Sequence, residues 1–341
     1  MISRLFSSSP PLATPVAMSM GEPAGIGTEC ALKAWTARKH ARLQPFFLLA
    51  DPKHLHAQTK LLGMNVPIHE IAKPEEALKV FVKALPVLPL ALHTPAKPGV
   101  LDPANANAVV ESIRKATQLA LSGEAAALVT LPIHKSVLYH SGFRFPGHTE
   151  FLADLCKVSD TVMMLEIPGL RVTLSTVHLS LKEALSKLST ALIVNKAVIT
   201  DRALRQFFGL DKPHLAIAGL NPHAGEEGAM GLEEIEIIAP AVEQLRARGI
   251  NASGPHSADT LFSIDRRKKY DCVLCHYHDQ GLIPVKTLDF YGGINITLGL
   301  PILRTSPDHG TALDIAGQNK ANPSSTIAAL KRTAQLARNA S

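Results

Sequence analysis

An α/β fold with a largely parallel sheet is predicted by two observations on this chain of 341 residues. Short apolar runs alternate with longer stretches of helical periodicity, and in five places the apolar run leads directly into histidines, glycines and acids. In open α/β sheets ligands bind beyond the carboxyl ends of the strands, so the second pattern also predicts where the site lies. The length allows a large core and would ordinarily be divided between two domains.

Taken in order, Val16 to Ser19 runs into "MGEPAGIG", Ala126 to Val129 into "TLPIHK", Arg171 to Thr176 into "VHLS", Leu215 to Ala218 into "GLNPHAGEEG", and Cys272 to Cys275 into "HYHDQG". Asn105 to Ser122 carries apolar residues at intervals of three and four and is stopped by Gly123; Glu233 to Arg248 reads the same way before Gly249. There is no repeat at solenoid or propeller spacing. The first fifteen residues, "MISRLFSSSPPLATP", read as a short loose arm on a cytoplasmic protein, because Ser7 to Pro11 interrupts any signal-peptide core. The most apolar stretch, Thr161 to Leu179, is broken by Glu166, Pro168 and Arg171, which argues against a membrane span.

Thirty-five basic and 29 acidic residues give a net charge of +6 and favour anionic partners. Nucleic acid is not indicated: aromatics are 5% of the chain, and the run Arg266 to Lys269 has no aromatic neighbour before Tyr270. That run reads as a solvated turn, and a small phosphorylated or carboxylated substrate accounts for the charge as well. The four cysteines (30, 156, 272 and 275) are expected to be reduced thiols. Cys272 to His276 spells the haem-attachment pattern, and C-x-x-C alone also suits zinc or redox chemistry. If Cys272 to Cys275 is a strand, however, both thiols are simply small buried side chains.

His178, His223 and His278 each follow a predicted strand. Neutral imidazole is the commonest biological ligand for zinc and similar ions, and three ligands leave a coordination position open. Each histidine alone is better explained as a hydrogen-bonded structural residue; their equivalent positions, taken together, raise a shared metal to an equal reading. "GEPAGIG" has glycines at 21, 25 and 27, matching neither dinucleotide nor Walker spacing, and reads as a tight strand-to-helix turn with Thr28 as cap. "FPGHTEF" places His148 and Thr149 at a helix start, where backbone N–H groups favour an anion. Lys286, Asn295 and Arg304 would bring two cations and an amide to the same crevice, although both cations also read as surface charges.

Together "MGEPAGIG", "PGHTEF", "GLNPHAGE", "YHDQGLIPVK" and "GGINITLGLPILRTSPDHGTALDIAG" resemble the 4-hydroxythreonine-4-phosphate dehydrogenase family of pyridoxal phosphate biosynthesis, from about Val16 to Ala329. The resemblance implies a three-layer α/β/α fold like that of the isocitrate and isopropylmalate dehydrogenases, with two subdomains flanking a cleft. Residues 1–135 and 290–341 would form one subdomain and 136–289 the other. It also implies NAD or NADP bordered by His309, Gly310, Asp314 and Asn322, and a divalent ion (zinc, magnesium or cobalt) on His178, His223 and His278, in a homodimer with the site at the subunit interface. Substrate contacts carry over to His148, Thr149, Lys286, Asn295 and Arg304. Two departures stand out: Cys275-His276 replaces the family's usual apolar pair, which makes His276 incidental, and Glu227 stands where glycine is common.

The chemistry implied is oxidation of 4-phosphooxy-L-threonine at C3, with hydride passing to NAD, followed by decarboxylation of the β-keto acid with the metal as electron sink. Asp279 or Lys286 would be the base, and the division of phosphate and carboxylate among the cationic and polar contacts is open. Relatives acting on phosphorylated threonate or erythronate, or on cis-dihydrodiol carboxylates, share the metal site. A metal-dependent hydrolase or lyase without NAD is the alternative from another class, and a non-enzymatic metal or haem binder the third.

Overall fold

A computed structural model describes residues 12–139 and 142–340; most of the expected N-terminal arm lies outside them. Leu12, within that arm, is buried and its N–H donates to Gln44 Oε1 at 3.2 Å. The strands are Val16–Ser19 (β1), Phe46–Ala50 (β2), Ile68–Glu70 (β3), Leu85–Pro89 (β4), Leu128–Thr130 (β5), Val162–Ile167 (β6), Leu170–Leu174 (β7), Leu215–Ala218 (β8), Ala252–His256 (β9), Cys272–Cys275 (β10), Ile294–Leu298 (β11) and Arg304–Pro307 (β12). They form one 12-stranded sheet in the order β3-β4-β2-β1-β5-β12-β11-β6-β7-β10-β8-β9, the centre of a three-layer α/β/α architecture.

The sheet is less uniformly parallel than the alternating pattern predicts. β3 to β5 and β12 form one parallel half with β1 and β2, and β7, β10, β8 and β9 form another; between them β12-β11-β6-β7 pair antiparallel. Three reversals in succession make the two halves run in opposite directions. The five strand ends therefore cannot share one edge; they approach one another only across the central antiparallel strands.

Side-chain alternation then sets what each face does. Thr305 hydrogen-bonds Thr333 in the helix Ser324–Ala340, at 2.6 Å, while its neighbours Arg304 and Ser306 face the opposite way into a cleft. The helix Ala106–Leu121 packs on β1, and its Ser112 accepts from Met20 N and donates to Leu49 O. Expected helix boundaries hold closely there; Glu233 to Arg248 instead divides into a π-helical turn, Glu234–Ile238, and an α-helix, Ala239–Ala247. Thr28 lies inside the helix Gly27–Thr36 rather than capping it, because Ile26 is already helical, and its hydroxyl faces His54 Nε2 at 3.4 Å.

His54 sits in the helix Pro52–Leu61, whose N-terminus Asp51 caps by accepting from Lys53 N and His54 N. Burial pushes the His54 imidazole down to about 4 against a weaker opposing pull from Asp51. The unfolded chain protonates near pH 6.5, so stability from this group is complete above that pH and is lost as pH falls toward 4. The loss amounts to about 3 kcal/mol. Thermal unfolding across pH 7 to 4.5 should therefore show a shallower decline in His54→Gln than in the parent; parallel curves would refute this.

Candidate active site

The cleft over the central strands has a volume of about 790 Å³. Its floor follows from register. Thr297 pairs with Arg304, Asn295 with Ser306, and Arg304 with Leu128, so Arg304, Ser306, Asn295, Thr297 and Thr130 share one face of the sheet. Arg304 is 3% exposed. Its Nη1 donates to Thr297 Oγ1 at 2.8 Å, and its Nε and Nη2 to Thr130 Oγ1 at 3.1 and 2.5 Å. It has no ion pair among the described residues, and burial pulls its guanidinium down to about 10. A buried cation held only by hydroxyls costs several kcal/mol and is the setting for an anionic ligand.

The walls repeat the message. His148 and Thr149 open the helix His148–Cys156 and line the cleft, as expected. His148 Nε2 and Asn295 Oδ1 are buried without a partner among the described residues, each costing about 1–3 kcal/mol unless a ligand meets it. Burial, then the charges of Arg304 and Lys135, hold His148 well below its ordinary pKa, leaving a neutral ring. Lys135, on the rim, makes no ion pair among the described residues. Lys135 is not among the residues that motif and spacing single out, although it ends the "TLPIHK" stretch after β5, where a cation at a strand end is the available signal.

Of the three metal candidates, His178 and His278 come together, with ring centres 5.6 Å apart. His178 adjoins both the main cleft and a smaller pocket containing His278 and Asp279. Burial, then His278 and Lys135, lower the pKa of His178, so it is a neutral donor. His278 Nδ1 bonds Asp279 Oδ1 at 2.7 Å, which leaves Nε2 for a ligand in the carboxylate–histidine arrangement common to metal sites. The donor chemistry fits a divalent ion. His223 is exposed and does not join them: among the described residues no three His, Cys, Asp or Glu side chains gather at one point within the chain.

His223 begins a rare backbone run. Residues 223 to 227 have φ of 53, 53, 82, 42 and 54°, a left-handed turn in which only Gly225 is unstrained, at about 1 kcal/mol for each other residue. Glu234 anchors its approach: Oε1 accepts from Leu220 N and Asn221 N, both at 2.7 Å, and Oε2 from Asn221 Nδ2 at 2.9 Å. The left-handed φ of 54° at Glu227 is one that glycine adopts freely.

Lys286 lies on the helix His278–Leu288, paired with Asp308 and 5.2 Å from the Phe290 ring centre, beside the cleft rather than among the residues lining it. His309 and Gly310 line the cleft; His309 contacts Gly310 O and Thr326 Oγ1, and Gly310 has open space around it. Asp314 and Asn322 are exposed and lie outside the cleft lining, Asp314 with its carboxylate unengaged among the described residues. Ile26 N donates to Thr311 O at 2.9 Å, so "MGEPAGIG" braces this loop. An open loop with a free carboxylate for ribose hydroxyls fits a nicotinamide dinucleotide. Cys272 and Cys275 are fully buried in β10; burial pushes Cys272 up to about 12 and Cys275 well above its ordinary value, the opposite of a reactive thiolate.

The sequence profile of pyridoxal phosphate biosynthetic protein PdxA matches residues 42–333. A 4-hydroxythreonine-4-phosphate dehydrogenase of Caulobacter vibrioides is 51% identical over 329 residues, 95% of this chain and 97% of that one. The crystal structure of the Klebsiella pneumoniae 4-hydroxythreonine-4-phosphate dehydrogenase superposes with a TM-score of 0.86 at 37% identity, covering 96% of this chain and 99% of that chain. A terephthalate 1,2-cis-dihydrodiol dehydrogenase of Burkholderia xenovorans has a TM-score of 0.66 at 27% identity over 95% of this chain and 98% of its own.

Relief of the left-handed strain is measurable. Glu227→Gly should stabilise the fold by up to about 1 kcal/mol, since glycine adopts this φ freely; a lower midpoint in urea or thermal unfolding would contradict the strain assigned here.

Proposed function

The chain belongs to the pyridoxal phosphate biosynthetic protein PdxA family, and we propose that it oxidises 4-phosphooxy-L-threonine at C3 to 2-amino-3-oxo-4-phosphooxybutanoate, which loses CO₂ to give 3-amino-2-oxopropyl phosphate. The observation that carries this reading is the buried Arg304, without a carboxylate partner, in a cleft where His148 and Asn295 also present unpartnered polar atoms. A substrate with phosphate and carboxylate groups supplies the missing partners.

Arg304, His148, Thr149, Asn295 and, from the rim, Lys135 bind and orient the substrate; Lys286, held by Asp308, adds charge at the edge. His178, His223 and His278 would hold the divalent ion (zinc, magnesium or cobalt), and His309, Gly310, Asp314 and Asn322 would border NAD or NADP. When bound, the ion supplies Lewis acidity at the C3 oxygen and for the charge left by CO₂ loss, and the nicotinamide accepts hydride. Proton handling at the C3 hydroxyl falls to Asp279, whose second carboxylate oxygen remains while Oδ1 holds His278, or to Lys286, which must first release Asp308.

The separation of His223 from the His178–His278 pair supports a site completed across a homodimer interface. The exposed Leu181, which lines a pocket with that pair, and the exposed Leu185 and Ile283 on the helices Leu181–Lys187 and His278–Leu288 are the natural contact. The sheet order supports chain crossings near 135 and 290 between two subdomains, and the cytoplasm is the proposed location.

NADH formation should be measured with 4-phosphooxy-L-threonine, phosphorylated threonate and erythronate, and a cis-dihydrodiol carboxylate, each with and without EDTA. The expected outcome is brisk turnover of the first, lost in EDTA and restored by a divalent ion, and reduced at least about 100-fold in His178→Ala and His278→Ala. Cys272→Ala should leave turnover nearly intact. Preference for the dihydrodiol carboxylate, or turnover indifferent to EDTA, would overturn the proposal.

A further inference from the structure

His276, 1% exposed, touches three strand ends at once. Its Nε2 lies 2.7 Å from Ala218 O at the end of β8. A carbonyl only accepts, so Nε2 carries the proton, which leaves Nδ1 to accept from Ser175 Oγ just after β7, at 3.3 Å. Its backbone is engaged as well: N donates to Gln280 Oε1 at 2.8 Å, and O accepts from Thr176 Oγ1 at 2.7 Å. Gln280 Nε2 closes the circuit by donating to Gly219 O at 2.7 Å.

These contacts join the segments that carry the metal candidates. His178 follows Thr176 by two residues, the strained turn at His223 begins four residues after Gly219, and His278 follows His276 by two. The junctions are awkward: His178 has φ 34° and His223 φ 53°, so neither is held by its own backbone preference. Contacts from outside must hold them, and a ring bonded at both nitrogens is a rigid spacer between β7 and β8 across β10.

From this we infer that His276 is a positioning residue: its doubly bonded imidazole fixes the ends of β7, β8 and β10 relative to one another, and thereby sets the spacing of His178 and His278 and the root of the His223 turn. The inference rests on the reading of those histidines as metal ligands. It makes the departure from an apolar residue at 276 a working part of the site rather than the incidental one expected from sequence.

The test is a titration of Co²⁺ into EDTA-treated, dialysed full-length protein, followed by visible absorption. His276→Leu keeps the volume but removes both ring bonds, and should weaken Co²⁺ binding at least about 10-fold and shift the visible band, as loss of outer contacts at metal sites does. His276→Gln, whose amide can still donate to Ala218 O, should recover most of the affinity. A merely structural role would lower the unfolding midpoint of both variants without moving the Co²⁺ spectrum, and that result overturns the inference. If His276→Leu does not fold, Ser175→Ala, which removes only the ring's Nδ1 bond to the segment after β7, should weaken Co²⁺ binding about threefold, and unchanged binding there overturns it equally. Parent protein that takes up no Co²⁺ overturns the metal reading and this inference with it; uptake that His276→Leu leaves unaltered overturns the inference alone.

Discussion

Arg304 lies at the bottom of the cleft with its guanidinium bonded to the hydroxyls of Thr130 and Thr297 and, among the described residues, with no acidic side chain in ion-pair contact, Glu150 acting on it only from a distance. Removing one charge from water costs several kcal/mol even after the surroundings relax, and neutral hydroxyls recover only part of that. The rest of the fold supplies the difference through the sheet. β12 is paired on both sides, by β5 and β11, so the side chain at 304 cannot turn to solvent without breaking two ladders. The same alternation aims Ser306 and Asn295 into the cleft and Thr305 at the helix Ser324–Ala340. A stable framework thus keeps an unfavourable charge where a substrate anion makes it favourable, and the unmatched atoms of His148 and Asn295 add to the same demand.

The antiparallel centre of the sheet explains how strand ends from two opposed halves serve one cleft. The ends of β5 and β7 point from opposite directions toward the face of β12, β11 and β6, and residues after both line the cavity. The end of β1 instead braces the Thr311 loop, and those of β8 and β10 are drawn together by His276. One large sheet therefore provides an anion-binding floor and, beside it, a pair of imidazoles oriented by Asp279 and by the strand junctions.

Much of this was legible in the sequence where local chemistry dictates the outcome. β1, β8 and β10 fall where their apolar runs lie, because a short run of buried residues ending in glycine, asparagine or histidine has few alternatives. β5 starts two residues later than the run beginning at Ala126, since pairing begins only where β12 and β1 lie alongside. The β6–β7 hairpin was concealed inside an apolar stretch whose Pro168-Gly169 signal marks a turn, with Gly169 at φ 81°. β11 and β12 were concealed differently: "GGINITLGLPILRTSPDHG" reads first as a binding motif, and its alternation is visible only once one face is known to be a cleft.

The histidines mark the limit of such reading. Position after a strand singled out His178, His223 and His278 as a class, yet spacing along a chain carries no information about which strand ends become neighbours; register does that, and it brings two of them together. The place of His276 was equally hidden, since a buried ring is identified by the hydrogen-bond partners around it and those come from residues 58 and 101 positions away. The measurement closest to the central claim compares the parent with Arg304→Met in two respects, thermal stability without ligand and calorimetric affinity for 4-phosphooxy-L-threonine. The account predicts stability equal to or above the parent, because an unpaired buried charge is gone, together with a loss of affinity of at least about 100-fold; undiminished substrate binding by the methionine variant would contradict it.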